Sequence, residues 1–408
     1  MRLRLLLALL PALLLAAPAL AQKTWDGGAG TTQWTDGANW SPDGVPTSTD
    51  DVLLDGGAVV DLNANATINS LVIRDTGTTL TTSAGTLLTT PGVRLETSEP
   101  VYVSDGTLAT GSMTLASGTL GGAGEVSADT LSFTRGTIEG SGTVSVAGGA
   151  LLSGTSFARN LIGRTLRLEG TTVVSGGNPL RMGDAARIEV PSGAVFDLQS
   201  DGDIIRTGTI TTLPVIAVEA GGAFTKSAAT GESLIRAALA NDGLVTVEAG
   251  TLRFGDGFGE SGGLSTGVFT VAAGATLDFD DGVFDLTTAD FSGAGTVDFG
   301  RVGAVTLTGA YDLASGATRL TGGAGDGVTF DASMTLQSLG QTLEVAGQAT
   351  ATLDLAPLTM PTTVDLSGGQ AALLLAEALD VETLLLRIGS CRLGGSGDVT
   401  TDSLSFTG

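Results

Sequence analysis

The amino-acid sequence predicts an all-β protein, a β-solenoid of stacked parallel strands with a tryptophan-rich N-terminal cap. Three observations predict it. The first is a recurring unit of two apolar residues separated by one residue, then two turn residues and a glycine. It reads Met113-Thr-Leu-Ala-Ser-Gly118, Val144-Ser-Val-Ala-Gly-Gly149, Ile188-Glu-Val-Pro-Ser-Gly193 and Ile216-Ala-Val-Glu-Ala-Gly221, and returns at Val245, Phe269 and Tyr311. Alternation with period 2 marks a half-buried strand, and the glycine marks the bend that ends it. The second is a Gly-Thr-apolar phrase beginning at Gly85, Gly106, Gly118, Gly136, Gly208, Gly250 and Gly295. Threonine and β-branched residues suit a pleated surface, and glycine suits a corner. The third is that such a unit cannot bury its apolar side alone and must stack on its neighbours.

The elements follow in order. Residues 1–21 read as a secretory signal peptide. Arg2 and Arg4 form its positive end, Leu5 to Ala17 its apolar stretch, and Ala19-Leu20-Ala21 its cleavage site. The short apolar run and Pro11 and Pro18 argue against a retained membrane anchor. Residues 22–50 read as the cap. They hold all three tryptophans, Trp25, Trp34 and Trp40, among Asp-Gly, Pro-Asp-Gly and Gly-Gly turns. Covering an open solenoid end is one use of these rings, and a platform for sugar stacking is another. Residues 51–408 read as the repeat domain, its first strand starting at Asp51.

The glycines of the first motif are 31, 44, 28, 29, 24 and 42 residues apart. The two long gaps read as pairs of coils, so a coil takes roughly 20–30 residues and carries two or three strands. Some 14–18 coils at about 4.8 Å each make a rod of roughly 70–85 Å.

Two stretches have a helix-friendly composition, Ser233 to Ala240 and Ala371 to Asp380. The second leads into residues 393–407, which match residues 120–134 at ten of fifteen positions. The earlier copy sits among clear strands, so the later one is read as strand. The phrase stops at Gly408 without a cap. The chain is therefore expected to be a piece of a longer protein, with an end open to self-association.

The chain has 43 acidic residues against 19 basic ones and no histidine. Removing Arg2 and Arg4 with the signal takes the formal charge from −24 to −26. That field disfavours nucleic acid and anionic membranes, and suits cations or basic partners. A saline habitat and high-GC coding both account for the acid excess with so little lysine. The one cysteine, Cys391, forms no internal disulfide and reads as a small buried apolar residue, with intermolecular pairing as the alternative. Seven phenylalanines between residues 254 and 299 (Phe254, Phe258, Phe269, Phe279, Phe284, Phe291 and Phe299) are expected to form an interior ladder.

Without histidine, Ser-His-Asp and Cys-His triads are excluded, as is a zinc site of usual composition. Paired carboxylates remain. The densest cluster is Asp278, Asp280, Asp281 and Asp285, with Asp201 and Asp203 second. Alternation makes Asp278 and Asp280 outward neighbours of an inward Phe279, with Asp281-Gly282 as a turn, and a solvated face is the expected reading. The same four residues are the calcium candidates, and Asp278, Asp280 and Asp285 the carboxylate candidates for glycoside chemistry. No catalytic residue and no bound cofactor is expected.

These residues resemble bacterial secreted β-helix proteins of the autotransporter-passenger and haemagglutinin-like type. Three phrases carry the resemblance: Trp25-Asp-Gly-Gly through Asp50-Asp-Val52, Asn241-Asp-Gly through Leu252, and Phe291-Ser-Gly-Ala-Gly-Thr-Val297. The resemblance implies a right-handed parallel β-helix, exported and then displayed or released, and its scaffold serves adhesins, surface fibres and some polysaccharide-cleaving enzymes. The expected function is a structural or adhesive extracellular or cell-surface rod without catalysis, with surface glycans as partners. The alternative is a polysaccharide-active enzyme using paired carboxylates, and a third reading is an ice- or mineral-binding face of threonine rows.

Overall fold

The computed structural model describes residues 21–96, 99–154, 157–255, 261–387 and 389–407. The chain winds into a parallel β-solenoid of about 16 turns, with only 1% of it helical. Each complete coil lays one short strand on each of three faces. Ala238–Asn241, Leu244–Val247 and Thr251–Phe254 are one such coil. The second face runs as one ladder from Ala21–Trp25 to Thr335–Ser338, and the third from Val59–Leu62 to Val399–Thr407. The first is paired in three segments, broken around Ser261–Leu264 and Gly282–Asp285. Among the described residues no helix is long and apolar enough to cross a membrane.

Alternation places every second side chain inside. In Thr251–Phe254 the inward residues are Leu252 and Phe254 and the outward ones Thr251 and Arg253. Coil length varies, with 18 residues separating Val126 from Val144 and 28 separating Ile188 from Ile216. Insertions go to the corners because any change within a strand would turn its core residues outward. The long gaps in the glycine spacing are pairs of coils as expected. Val144, Leu166 and Ile188 stack at intervals of 22. The other irregularity has a cause the pattern does not show. The units at Val144, Ile188 and Ile216 lie on the first face, and those at Met113, Val245, Phe269 and Tyr311 on the second.

The Gly-Thr-apolar phrase opens third-face strands at Thr119, Gly136, Thr251 and Thr296. Its glycine is required at Gly136, where φ is +110° and an added Cβ would meet the Gly118 carbonyl oxygen at 2.3 Å. At Gly208 the phrase lies in a connection instead.

The cap is folded as more than a loop. Ala21–Trp25 pairs in parallel with Asp50–Leu54 and antiparallel with Trp40–Ser41. Trp40 lies between Trp25 and Trp34, edge to face, with centroids at 5.0 and 4.7 Å. Its indole Nε1 donates to the Trp34 carbonyl at 2.9 Å. Buried Asn39 holds the loop, donating from Nδ2 to the carbonyls of Thr31 and Gln33 and accepting from the Ala29 N–H. All three rings are buried, which makes them core rather than platform.

Both helix-friendly stretches are strand, as Glu232–Ile235 with Ala238–Asn241, and as Ala372–Leu375 with Leu379–Arg387. The two copies of the fifteen-residue phrase occupy different faces. The early copy passes from Thr119–Gly121 on the third face to Val126–Phe133 on the first and second. The late copy passes from Arg392–Gly395 on the first to Val399–Thr407, which reaches the third only after its bend, from Ser403 on. What they share is a long strand that bends. Thr110 and Thr401 mark such bends, each hydroxyl donating to the carbonyl two residues on, at 3.0 and 2.9 Å.

The interior holds an aromatic ladder. Phe254, Phe279 and Phe299 stack on the third face with centroids 5.9 Å apart. Phe269 and Phe291 stack on the second at 5.0 Å, and Tyr311 and Phe330 follow. Phe196 and Phe224 extend it toward the N-terminus, and Phe258 lies outside the described residues. Cys391 is half-buried at the core's edge rather than fully enclosed.

Among the described residues three cations are wholly buried, at Arg159, Arg164 and Lys226. Arg164 and Lys226 gather corner carbonyls, and Arg159 donates from NH2 to the Asn178 carbonyl. Arg164 donates to Gly121, Gly122, Gly124 and Glu139, and so ties its coil to two earlier ones. Lys226 Nζ donates to Asp201 at 3.0 Å, to the Ala228 carbonyl and to the Ser233 hydroxyl.

Candidate functional site

Two outward surfaces carry chemistry. The first is a groove of about 730 Å³ along the corner between the first and second faces. The corner is concave because Leu87–Glu96, Thr107–Leu115 and Val126–Phe133 pass through it as single bent strands. Register stacks Thr67, Thr89, Ala109, Ser127 and Ser145 one above another along it. At about 4.8 Å per coil this row is roughly 20 Å long. Asp129 and Glu169 supply the carboxylates at its margin. The row continues as Arg167, which Glu189 and Glu219 hold at 3.0 and 2.9 Å.

The second surface is a charged column on the third face. Arg253, Asp278, Asp298, Arg319, Glu344 and Asp365 occupy the same outward position on successive coils. Beside it runs a column of Thr251, Thr276 and Thr296, interrupted by Ala317 and resumed at Thr342 and Thr363. Each arginine faces carboxylates on both sides. Arg319 lies 3.8 Å from Asp298 and 2.9 Å from Glu344. Asp278 is 3.6 Å from Arg253 but has Asp298 as its other neighbour. Burial first, then the Asp298 charge, pushes the Asp278 carboxyl up to about 7 against the pull of Arg253. Burial also raises Asp298, opposed by the Thr321 hydroxyl and Arg319.

The four clustered aspartates separate. Asp278 is outward in its strand as expected. Asp280 is not a solvated face residue. Its carboxylate is buried and takes Arg253 on one side and Arg301 on the other, with Arg301 Nε at 3.1 Å and NH2 at 3.2 Å. The strand ends at Phe279 and the chain reverses at Asp281, where φ is +57°, so alternation no longer sets where Asp280 points. Asp285 faces solvent and accepts from the Thr287 N–H and hydroxyl. Among the described residues no group of three or more His, Cys, Asp or Glu side chains is placed to hold a metal ion. The second cluster is a fastener, in which Asp201 accepts from Lys226 and Asp203 from the Leu234 N–H.

Asp298, Arg253, Arg319 and the hydroxyl row were not singled out by reading the sequence. A signal existed in the parallel phrases Thr251-Leu-Arg-Phe254, Thr276-Leu-Asp-Phe279 and Thr296-Val-Asp-Phe299, whose third residues form the column. No family model, curated protein or solved structure matches the chain.

Proposed function

We propose that the chain is an exported, non-catalytic β-solenoid of the extracellular space or cell surface, with a structural or adhesive role and glycans as partners. It is of the autotransporter-passenger and haemagglutinin-like type. The groove from Thr67 to Ser145 carries this reading. It is long, open, lined by hydroxyls and alanines, and suited to many weak contacts with a linear polymer. The signal-like residues 1–21 support export. The test is retention of the purified chain on immobilised polysaccharides, with reducing ends and unsaturated sugars assayed in the same samples. Retention without product supports the reading, and product formation at an appreciable rate overturns it.

The Asp278–Asp298 pair favours a second reading, polysaccharide cleavage. A carboxyl held near 7 beside a second carboxyl supplies an acid and a base. Under that reading Asp278→Ala and Asp298→Ala abolish turnover without unfolding the solenoid. The flanking Arg253 and Arg319 support the structural role instead, because each pairs with one of the two aspartates. An ice-binding face is disfavoured, since the threonine column has a charged column beside it rather than a second row of threonines.

A further inference from the structure

We propose that the cavity walled by Glu99, Arg135 and Phe157 is a binding site for a neutral saccharide. The inference is independent of the groove and of catalysis.

The starting observation is an aromatic ring in the wrong place. Among the described residues only Phe157 and Phe406 expose an aromatic side chain, and the other described rings are buried in the core or the cap. Phe406 lies on the last described strand. Phe157 stands in mid-solenoid, 54% exposed, at the corner before Arg159–Ile162. Leaving a ring of that size in water forgoes the free energy that burial returns. Here the ring is held outward by Arg135, whose guanidinium carbon sits 3.9 Å from the ring centroid.

Stacking assembles the rest from four coils. Glu99 reaches Arg135 NH2 at 3.2 Å. Thr119, Thr137 and Asn160 are successive outward residues of the third face and line the cavity. Asn160 Nδ2 donates to the Thr137 hydroxyl at 3.2 Å. Gly118 and Gly136 line the cavity as backbone, each packed on the preceding coil so closely that an added Cβ would meet the Pro100 and Gly118 carbonyl oxygens at 2.2 and 2.3 Å. The cavity measures about 300 Å³, the lower end of small-ligand pockets.

This inventory matches one ligand class. A sugar ring has an apolar C–H face and a rim of hydroxyls. Phe157 meets the face, while Glu99 accepts from hydroxyls and Arg135 donates to them. The Asn160 amide and the threonine hydroxyls serve as both donor and acceptor. The one carboxylate and one guanidinium balance, and the chain's net charge opposes an anionic ligand. The class is therefore neutral rather than acidic.

Saturation-transfer NMR of the purified chain tests this with cellopentaose, chitopentaose, maltopentaose and tetragalacturonate as probes. The expected result is transfer to at least one neutral oligosaccharide, reduced at least tenfold by Phe157→Ala and by Arg135→Met, with an unchanged thermal midpoint. Three results overturn it: no transfer to any neutral probe, stronger transfer to tetragalacturonate, or binding that survives both substitutions. Binding that survives both but is lost in Ala109→Arg places the sugar in the groove, which overturns this site while upholding the adhesive reading. Loss in Phe157→Ala and Arg135→Met but not in Ala109→Arg upholds this site.

Discussion

Asp278 and Asp298 are direct neighbours in the third sheet, twenty residues apart in sequence and one coil apart in space. Two carboxylates so placed are partly sheltered from water and share one arginine on each flank. Glu344 and Asp365 are neighbours in the same way further along the column, but each of them has an arginine at 2.9 Å, against 3.6 and 3.8 Å for Asp278 and Asp298.

The pair makes stability depend on pH. The folded-state value of Asp278, about 7, lies above its ordinary 3.8, so the folded chain holds the proton more tightly than the unfolded chain. Stability therefore falls as pH rises from about 4 to about 7, and this contribution is level on either side. The slope is worth at most about 4 kcal/mol. Denaturation of the wild type and Asp278→Asn across this range checks it. Asp278→Asn should lose that part of the slope and be the more stable protein at pH 8. Equal slopes would show that the pair does not titrate there.

Phe279 touches five other rings, at Phe254, Phe269, Phe284, Phe291 and Phe299. Phe279→Ala should cost about 3–5 kcal/mol. A solenoid holds each coil through its neighbours alone, so the loss should be local. Amide exchange should accelerate in Phe269, Phe291 and Phe299 and stay unchanged in Leu88 and Leu108. Uniform acceleration would contradict neighbour-only coupling.

Trp40→Ala removes the ring that Trp25 and Trp34 both pack on. It should open the cap and expose the strand edge of Asp50–Leu54, at a local cost of about 3–5 kcal/mol. Limited proteolysis reads the outcome. New cleavage should appear before residue 60, while the aromatic ladder stays protected.

Lys226 and Asp201 respond unequally. Lys226→Met keeps the volume at an inward position and leaves Asp201 at the surface, so stability should stay within about 1 kcal/mol of wild type. Asp201→Ala leaves a buried ammonium with only neutral partners and should cost about 3 kcal/mol. Equal effects in a thermal or urea titration would contradict this account.

Much of the architecture was legible because alternation, corner glycines and the Trp25–Trp34–Trp40 cluster are local signals. Strand identity could be read from Val126–Phe133 and transferred to Val399–Thr407. The face could not, because it depends on the summed length of all intervening corners. Asp280 defeated the alternation rule because a left-handed residue follows it. The Asp278–Asp298 pair and the Glu99–Arg135–Phe157 cavity needed coil register, which spacing alone leaves open by several residues. The buried Lys226 was invisible for another reason. Two of its four partners are corner carbonyls, which leave no trace in side-chain chemistry, and the other two, Asp201 and Ser233, meet it only once the coils are in register.

The sequence contains two lysines, and the fold encloses both. Lys23 is 9% exposed, its ammonium donating to the Pro42 and Asp43 carbonyls, and Lys226 is fully enclosed. The folded chain thus offers no free side-chain amine to acylating reagents, aldehydes or lysine-directed proteases. Amine-coupling chemistry would reach neither lysine without first opening the fold around it. Any acyl group found on Lys226 would time-stamp the opening of that one coil.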